Sequence, residues 1–367
     1  MGVLLLSGCG NTGKSAVVAA SSTSASETSN EAGKGSKVSQ PAENVDAQVA
    51  EASLPQPGEA ISASLTWKSR MELAYATQFA VDTYEDADGM QYEAVSVADG
   101  SRFLLIPESG KVPEDLPVFL FFHGGGWVTD CIDNYERICA RLASATEHIV
   151  VSVEYRLAPE HPFPTGFMDC YAVAKAIYTN RFILNVNPKR ITLIGDSAGG
   201  NLVAAVSLKA RDDGIFKPQR QILIYPAVNN DYSENSPYLS VRRYGTEYLL
   251  TAGKMRDYIN FYASAEEDKR SKYLAPLMET DYSNQPDTLI LTAECDPLRD
   301  EGEEYGRRLK EAGNQVEIHR IQDALHGFFA LGVKYYHVQE SFAIINRFLD
   351  SYGQKESEKN INPADGE

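Results

Sequence analysis

The chain has 367 residues, 43% of them hydrophobic and 23% charged, which leaves room for two domains or for one large α/β domain with additions. Its 51 acidic residues outnumber 34 Lys and Arg, for a net charge of −17, and that balance argues against a nucleic-acid partner, which needs a basic face. No apolar run reaches about 18 residues, so no helix of this sequence crosses a bilayer, and the five cysteines lack the C-x-x-C spacing of a zinc ribbon.

Residues 1–60 differ from the rest. After the short apolar run Val3–Leu6, the stretch from Ser21 to about Glu59 is mostly Ser, Thr, Ala, Glu, Lys, Gly and Gln, with almost no large apolar side chain. Such a segment cannot bury enough surface to offset its ordering entropy, so the composition predicts a disordered linker. Two motifs overlap at its start. Gly8-Cys9-Gly10-Asn11-Thr12-Gly13-Lys14-Ser15 fits the phosphate-loop pattern. A working phosphate loop must open a helix packed on a sheet, whereas here Ala16–Ala20 runs straight into the linker. Leu6-Ser7-Gly8-Cys9 resembles the lipobox of bacterial lipoproteins. That resemblance implies a lipid on Cys9, a tether behind it and a place at the bacterial cell surface, with membrane contact through the lipid alone. Only eight residues precede Cys9 and none is basic, so the expectation includes a leader that starts further upstream. The alternative is an accidental cysteine in the tail of a cytoplasmic protein.

From about Ile61 short apolar runs alternate with helical periods. The expected organisation is an entry segment over 61–100, a body over 101–354 and a polar tail over 355–367. Ile61–Ala87 carries Leu65, Met71, Leu73 and Phe79 at helix-compatible spacing. Strands are expected over Leu116–Phe122, His148–Tyr155, Arg190–Gly195, Gln221–Val228, Asp287–Ala293 and Gln315–Ile321. Helices are expected over Thr165–Thr179, Ala198–Arg211, Asp300–Ala312 and Tyr335–Ser351. Continuous apolar strands alternating with helices predict an α/β fold, a mostly parallel sheet with helices on both faces. Active residues in such a fold sit at the carboxyl ends of strands.

The chemically suggestive residues fall at those ends. Gly195-Asp196-Ser197-Ala198-Gly199-Gly200 follows the strand RITLI and contains G-x-S-x-G, a turn that lifts a serine hydroxyl above the sheet. His123-Gly124-Gly125-Gly126 follows an earlier strand. Glycines let a backbone aim two or three N–H groups at one point, as a tetrahedral oxyanion requires. Asp296 follows DTLILTA and His326 follows QVEIHRI. A serine needs a base to take its proton, and a histidine base needs a carboxylate to fix its tautomer. The chain order Ser, Asp, His is the order found in α/β-hydrolases. No metal-binding cluster stands out, and this chemistry needs no cofactor.

These stretches, with Tyr155-Arg156-Leu157-Ala158-Pro159-Glu160 and Asp296-Pro297-Leu298-Arg299-Asp300-Glu301-Gly302, resemble the hormone-sensitive-lipase-like branch of α/β-hydrolases, bacterial family IV. The resemblance implies the α/β-hydrolase fold with Ser197 as nucleophile, His326 as base and Asp296 as its partner. It implies an oxyanion hole from the N–H groups of Gly124, Gly125 and Ala198, supported by Gly126. It implies that Arg156 pairs with Asp169 and that His123 braces the glycine turn. A helical cap is also implied, built from the segment before the core and an insertion over about 229–274 rich in tyrosine (Tyr232, Tyr238, Tyr244, Tyr248, Tyr258, Tyr262). With no charged anchor evident, a small neutral ester is the expected substrate. The expected activity is a serine carboxylesterase for short- to medium-chain acyl esters. An amidase or peptidase on the same triad, or a non-catalytic small-molecule receptor on the same fold, stays open.

Overall fold

The computed structural model describes residues 80–85, 91–96, 102–106, 117–179, 187–332 and 334–361. Cys9, the expected linker and the first part of the expected 61–87 helix lie outside them.

Among the described residues nine strands form one sheet: β1 (Ala80–Glu85), β2 (Gln91–Ser96), β3 (Arg102–Ile106), β4 (Val118–Phe122), β5 (Ile149–Glu154), β6 (Ile191–Asp196), β7 (Arg220–Ile224), β8 (Asp287–Cys295) and β9 (Val316–Leu325). Their order is β1-β2-β3-β5-β4-β6-β7-β8-β9. From β5 to β9 all neighbours run parallel, whereas β1, β2 and β3 attach antiparallel at one edge. The six expected strands are therefore the parallel ones. The strand over Ala80–Glu85 corrects the helix expected to run to Ala87. Its sequence, AVDTYE, holds the β-branched and aromatic residues Val81, Thr83 and Tyr84, which favour strands.

The parallel strands β4 to β8 are buried along nearly their whole length, as helices on both sides demand, whereas the edge strand β9 buries only Ile321 and Ala324. Along β4, Val118, Leu120 and Phe122 join one core cluster, while Phe119 and Phe121 join the other. The first cluster holds α2 (Thr165–Thr179) and α3 (Ala198–Asp213). The second holds α1 (Ile132–Thr146), which the sequence reading did not identify. Between β7 and β8 three helices are inserted: α4 (Leu239–Tyr244), α5 (Ala252–Tyr262) and α6 (Glu266–Lys269). The α5 start is fixed by Thr251, whose hydroxyl accepts from Lys254 N–H at 3.1 Å. Met255, Ile259 and Tyr262 make its buried face. Helix α7 (Arg299–Glu311) packs between β8 and β9, and α8 (Tyr336–Ile361) continues beyond the Ser351 end expected for it.

Strand β7 stops at Ile224, short of the expected Val228. Tyr225 turns away with φ 35 and Pro226 has no N–H for the ladder. A register shift between Ala293 and Cys295 re-aims the end of β8 just before Asp296. Among the described residues no helix is long and apolar enough to cross a membrane.

Candidate active site

Ser197 sits between β6 and α3 with φ 55 and ψ −118, a backbone that a side chain rarely adopts. Two bonds to the β7 end hold it there: Ser197 N–H donates to Ile224 O (2.9 Å), and Ala227 N–H donates to Ser197 O (3.2 Å). The turn has no room for flanking side chains. A Cβ on Gly195 would lie 2.5 Å from Gly199 O, and one on Gly199 would overlap the Phe122 carbonyl. The β4 end therefore passes directly against the elbow.

The structure brings Ser197, His326 and Asp296 together from three strand ends. His326 Nε2 is 2.9 Å from Ser197 Oγ, and His326 Nδ1 is 2.7 Å from Asp296 Oδ2. An ionised carboxylate only accepts, so Nδ1 carries the proton and Nε2 is left to accept from the serine hydroxyl. Asp296 is fully buried, and Leu298 N–H donates to its second oxygen at 2.9 Å. The Tyr225 ring lies 4.7 Å from the His326 ring and limits its swing.

The glycine turn after β4 is anchored rather than open. Gly124 N–H donates to Asp196 Oδ1 (3.0 Å) and to the Tyr135 hydroxyl (3.1 Å), and Tyr135 O–H donates to Asp196 Oδ2 (3.0 Å). This corrects the expectation for Gly124: its amide is spent on Asp196 and cannot meet an oxyanion. Gly125 and Gly126, with φ 105 and 62, line the cavity at Ser197 together with Ala198. Among the described residues their amides and that of Ala198 have no protein acceptor. A Cβ on Gly126 would lie 2.5 Å from the Tyr258 ring, so the inserted helix α5 closes over this turn. Trp127 stacks on Tyr262 of α5 with centroids 4.8 Å apart.

His123 is fully buried, with Nδ1 2.8 Å from Gly124 O and its ring stacked on Tyr155 at 4.3 Å. Burial pushes its pKa down to about 4, against the hydrogen bond to Gly124, so it stays neutral. Asp196 is buried behind the turn, and burial raises its carboxyl to about 6 although Tyr135 and Gly124 donate to it. Arg156 Nε donates to Asp169 Oδ2 at 2.8 Å, and Asp169 also accepts from Arg156 N–H at 3.0 Å. Two residues on, Ala158 N–H donates to Trp127 O at 2.9 Å, which ties that loop to the glycine turn.

The cavity over Ser197 measures about 180 Å³. Of the insertion's tyrosines only Tyr258 lines it, alongside Leu250 and Met255. Tyr262 and Tyr232 are buried elsewhere: Tyr232 O–H donates to Glu301 at 2.8 Å. Asp130, not among the residues expected at the site, also lines the cavity. Its signal was its place in the loop that follows the glycine turn. Among the described residues no group of three His, Cys, Asp or Glu could hold a metal ion.

A strained serine between a parallel strand and a helix, with histidine and aspartate from the next strand ends, defines the α/β-hydrolase class. The family described as "alpha/beta hydrolase fold" matches residues 119–330, more than half of the chain, and the chain belongs to it, in its hormone-sensitive-lipase-like branch. An arylesterase of Saccharolobus solfataricus is 38% identical over 210 residues, covering 57% of this chain and 67% of that protein. An ethyl acetate hydrolase of Pseudomonas putida is 34% identical over 229 residues, covering 60% and 70%. The solved structure of a hyperthermophilic esterase from Pyrobaculum calidifontis is similar with a TM-score of 0.64 and 37% identity, over 75% of this chain and 86% of that one.

Proposed function

We propose that the chain is a serine carboxylesterase. The observation that carries this reading is the 2.9 Å approach of His326 Nε2 to Ser197 Oγ, with His326 Nδ1 held on buried Asp296. The esterase relatives support ester hydrolysis. In the proposed reaction Ser197 Oγ attacks the ester carbonyl while His326 takes its proton. Gly125, Gly126 and Ala198 donate N–H groups to the oxyanion. His326 then protonates the leaving alcohol, and a water repeats the sequence on the acyl-enzyme.

The small cavity favours short acyl chains. Each methylene gains about 0.8 kcal/mol only while it meets apolar wall, here Leu250 and Met255. A nitrophenyl ester series from acetate to palmitate, run on wild type and Ser197→Ala, tests both points. We expect kcat/KM to peak at short chains and Ser197→Ala to lose roughly three powers of ten or more in kcat. Wild-type turnover in a folded Ser197→Ala variant would overturn the mechanism, and equal rates on butyrate and palmitate would overturn the chain-length reading.

A further inference from the structure

We propose that this pocket selects esters carrying a positive charge, with the Asp130 carboxylate as the anchor for a substituted ammonium group on the substrate. The inference rests on the ester-hydrolase reading and names the substrate class of the same site. Among the described residues no lysine and no arginine lines the cavity that holds Ser197 and His326. Its two aspartates differ in availability. Asp196 is 4% exposed, and its oxygens are taken up by Gly124 and Tyr135 inside the wall. Asp130 is only partly buried, and one of its oxygens accepts from Asn134 Nδ2 at 3.0 Å. Among the described residues no cation pairs with it. A lone carboxylate at a pocket wall, with aromatic surface beside it, is the arrangement that attracts a quaternary or protonated amine.

The backbone aims Asp130 at this place. Gly125 O accepts from both Val128 N–H (3.2 Å) and Thr129 N–H (2.9 Å), closing a tight turn, and Asp130 follows with φ 76. Aspartate tolerates this left-handed conformation better than most residues. Its charge is felt across the pocket wall: Tyr258 is raised first by burial and then by Asp130. Tyr258, whose ring packs on Gly126, also lines the wall, and aromatic surface of this kind suits a methylated ammonium. The chain's net charge of −17 adds a long-range pull on cations and repels anionic esters. Sequence alone pointed to a neutral ester because Asp130 reads there as an ordinary turn residue.

The test compares butyrylcholine with 3,3-dimethylbutyl butyrate, which has the same shape with carbon in place of the charged nitrogen. We expect wild type to favour the cation by about tenfold in kcat/KM at low ionic strength, and salt to narrow the ratio. In Asp130→Asn the ratio falls to near unity. Asp130→Gly, which the φ of 76 accommodates, does the same and guards against misfolding of the first variant. In parallel, calorimetry reads the binding of pentyltrimethylammonium, an unreactive probe that reports on Asp130 whether or not the chain hydrolyses esters. A ratio near unity in wild type, a preference that survives both substitutions, or probe binding equal in wild type and variants would overturn the proposal. Asp130-dependent probe binding without hydrolysis of either ester would overturn the ester reading alone.

Discussion

Asp196→Asn separates positioning from stability. Asp196 links the serine elbow to the glycine turn by accepting Gly124 N–H and Tyr135 O–H, each at 3.0 Å. Asparagine keeps one acceptor oxygen and turns an amide toward the other donor. A hydrogen bond to a charged group contributes about 1.5–3 kcal/mol, so losing one frees the turn that holds Gly125 and Gly126 at the cavity. One displaced oxyanion donor costs at most about 10²–10³ in kcat, and a loosened turn, still partly in place, about 10–100. Stability moves the other way. An acid whose folded-state pKa is raised, here from 3.8 to about 6, weakens the fold once it ionises. That cost is absent below about pH 4, grows to pH 6 and amounts to about 3 kcal/mol above it. Asparagine carries no charge, so its melting temperature at pH 8 should equal or exceed that of wild type while kcat falls and KM stays within about threefold. Steady-state kinetics on nitrophenyl butyrate, with thermal melts on the same samples, read both quantities. An unchanged kcat, or activity and melting temperature falling together, would refute this reasoning.

Three further outcomes follow from the same geometry. Glu301 is buried, accepts from Val228 N–H (2.9 Å), Asn229 N–H (3.2 Å) and Tyr232 O–H (2.8 Å), and is pushed up to about 8 chiefly by burial. Its raised pKa means that stability declines as pH climbs from 4.5 toward 8, so melts of Glu301→Gln should lack that part of the wild-type slope; equal slopes would contradict the assignment. Gly199→Ala drives a methyl group into the Phe122 carbonyl and should cost several kcal/mol or prevent folding, as circular dichroism and melting would report; a melting temperature within about 2 °C of wild type would refute it. Lipid attachment at Cys9 is proposed from the sequence; expression of the gene with its native flanking sequence should place wild type, but not Cys9→Ala, in the membrane fraction, and recovery of both as soluble protein would contradict it.

The parallel core and the three convergent side chains were legible because each catalytic candidate follows a stretch with a strand's pattern, and strand ends define the site in such folds. Three things were not legible. The antiparallel edge β1–β3 has short, partly polar strands, and AVDTYE mixes apolar and polar residues on both of its faces, so no two-residue period marks it after the helical spacing of the residues up to Phe79. Helix α1 has a charged outer face and a left-handed end at Glu147 in place of the usual glycine, so no stop signal marks it. Within His123–Gly126 the sequence does not say which amide faces the ligand. That depends on Asp196, 72 residues further along the chain, and on Tyr135 in the next helix claiming the first one. The insertion's tyrosines misled for a similar reason, because tyrosine suits a pocket wall and a buried hydrogen-bond anchor equally, and Glu301 captures Tyr232.

The central claim is that Ser197 carries the acyl group. Rapid quenching of the enzyme during turnover of nitrophenyl butyrate, followed by mass analysis of the peptide that holds Ser197, tests it directly. One butyryl group on that serine, absent in Ser197→Ala and released by water on standing, is the predicted result. Turnover with no acylated peptide under any quench time, or the acyl group on another residue, would contradict it.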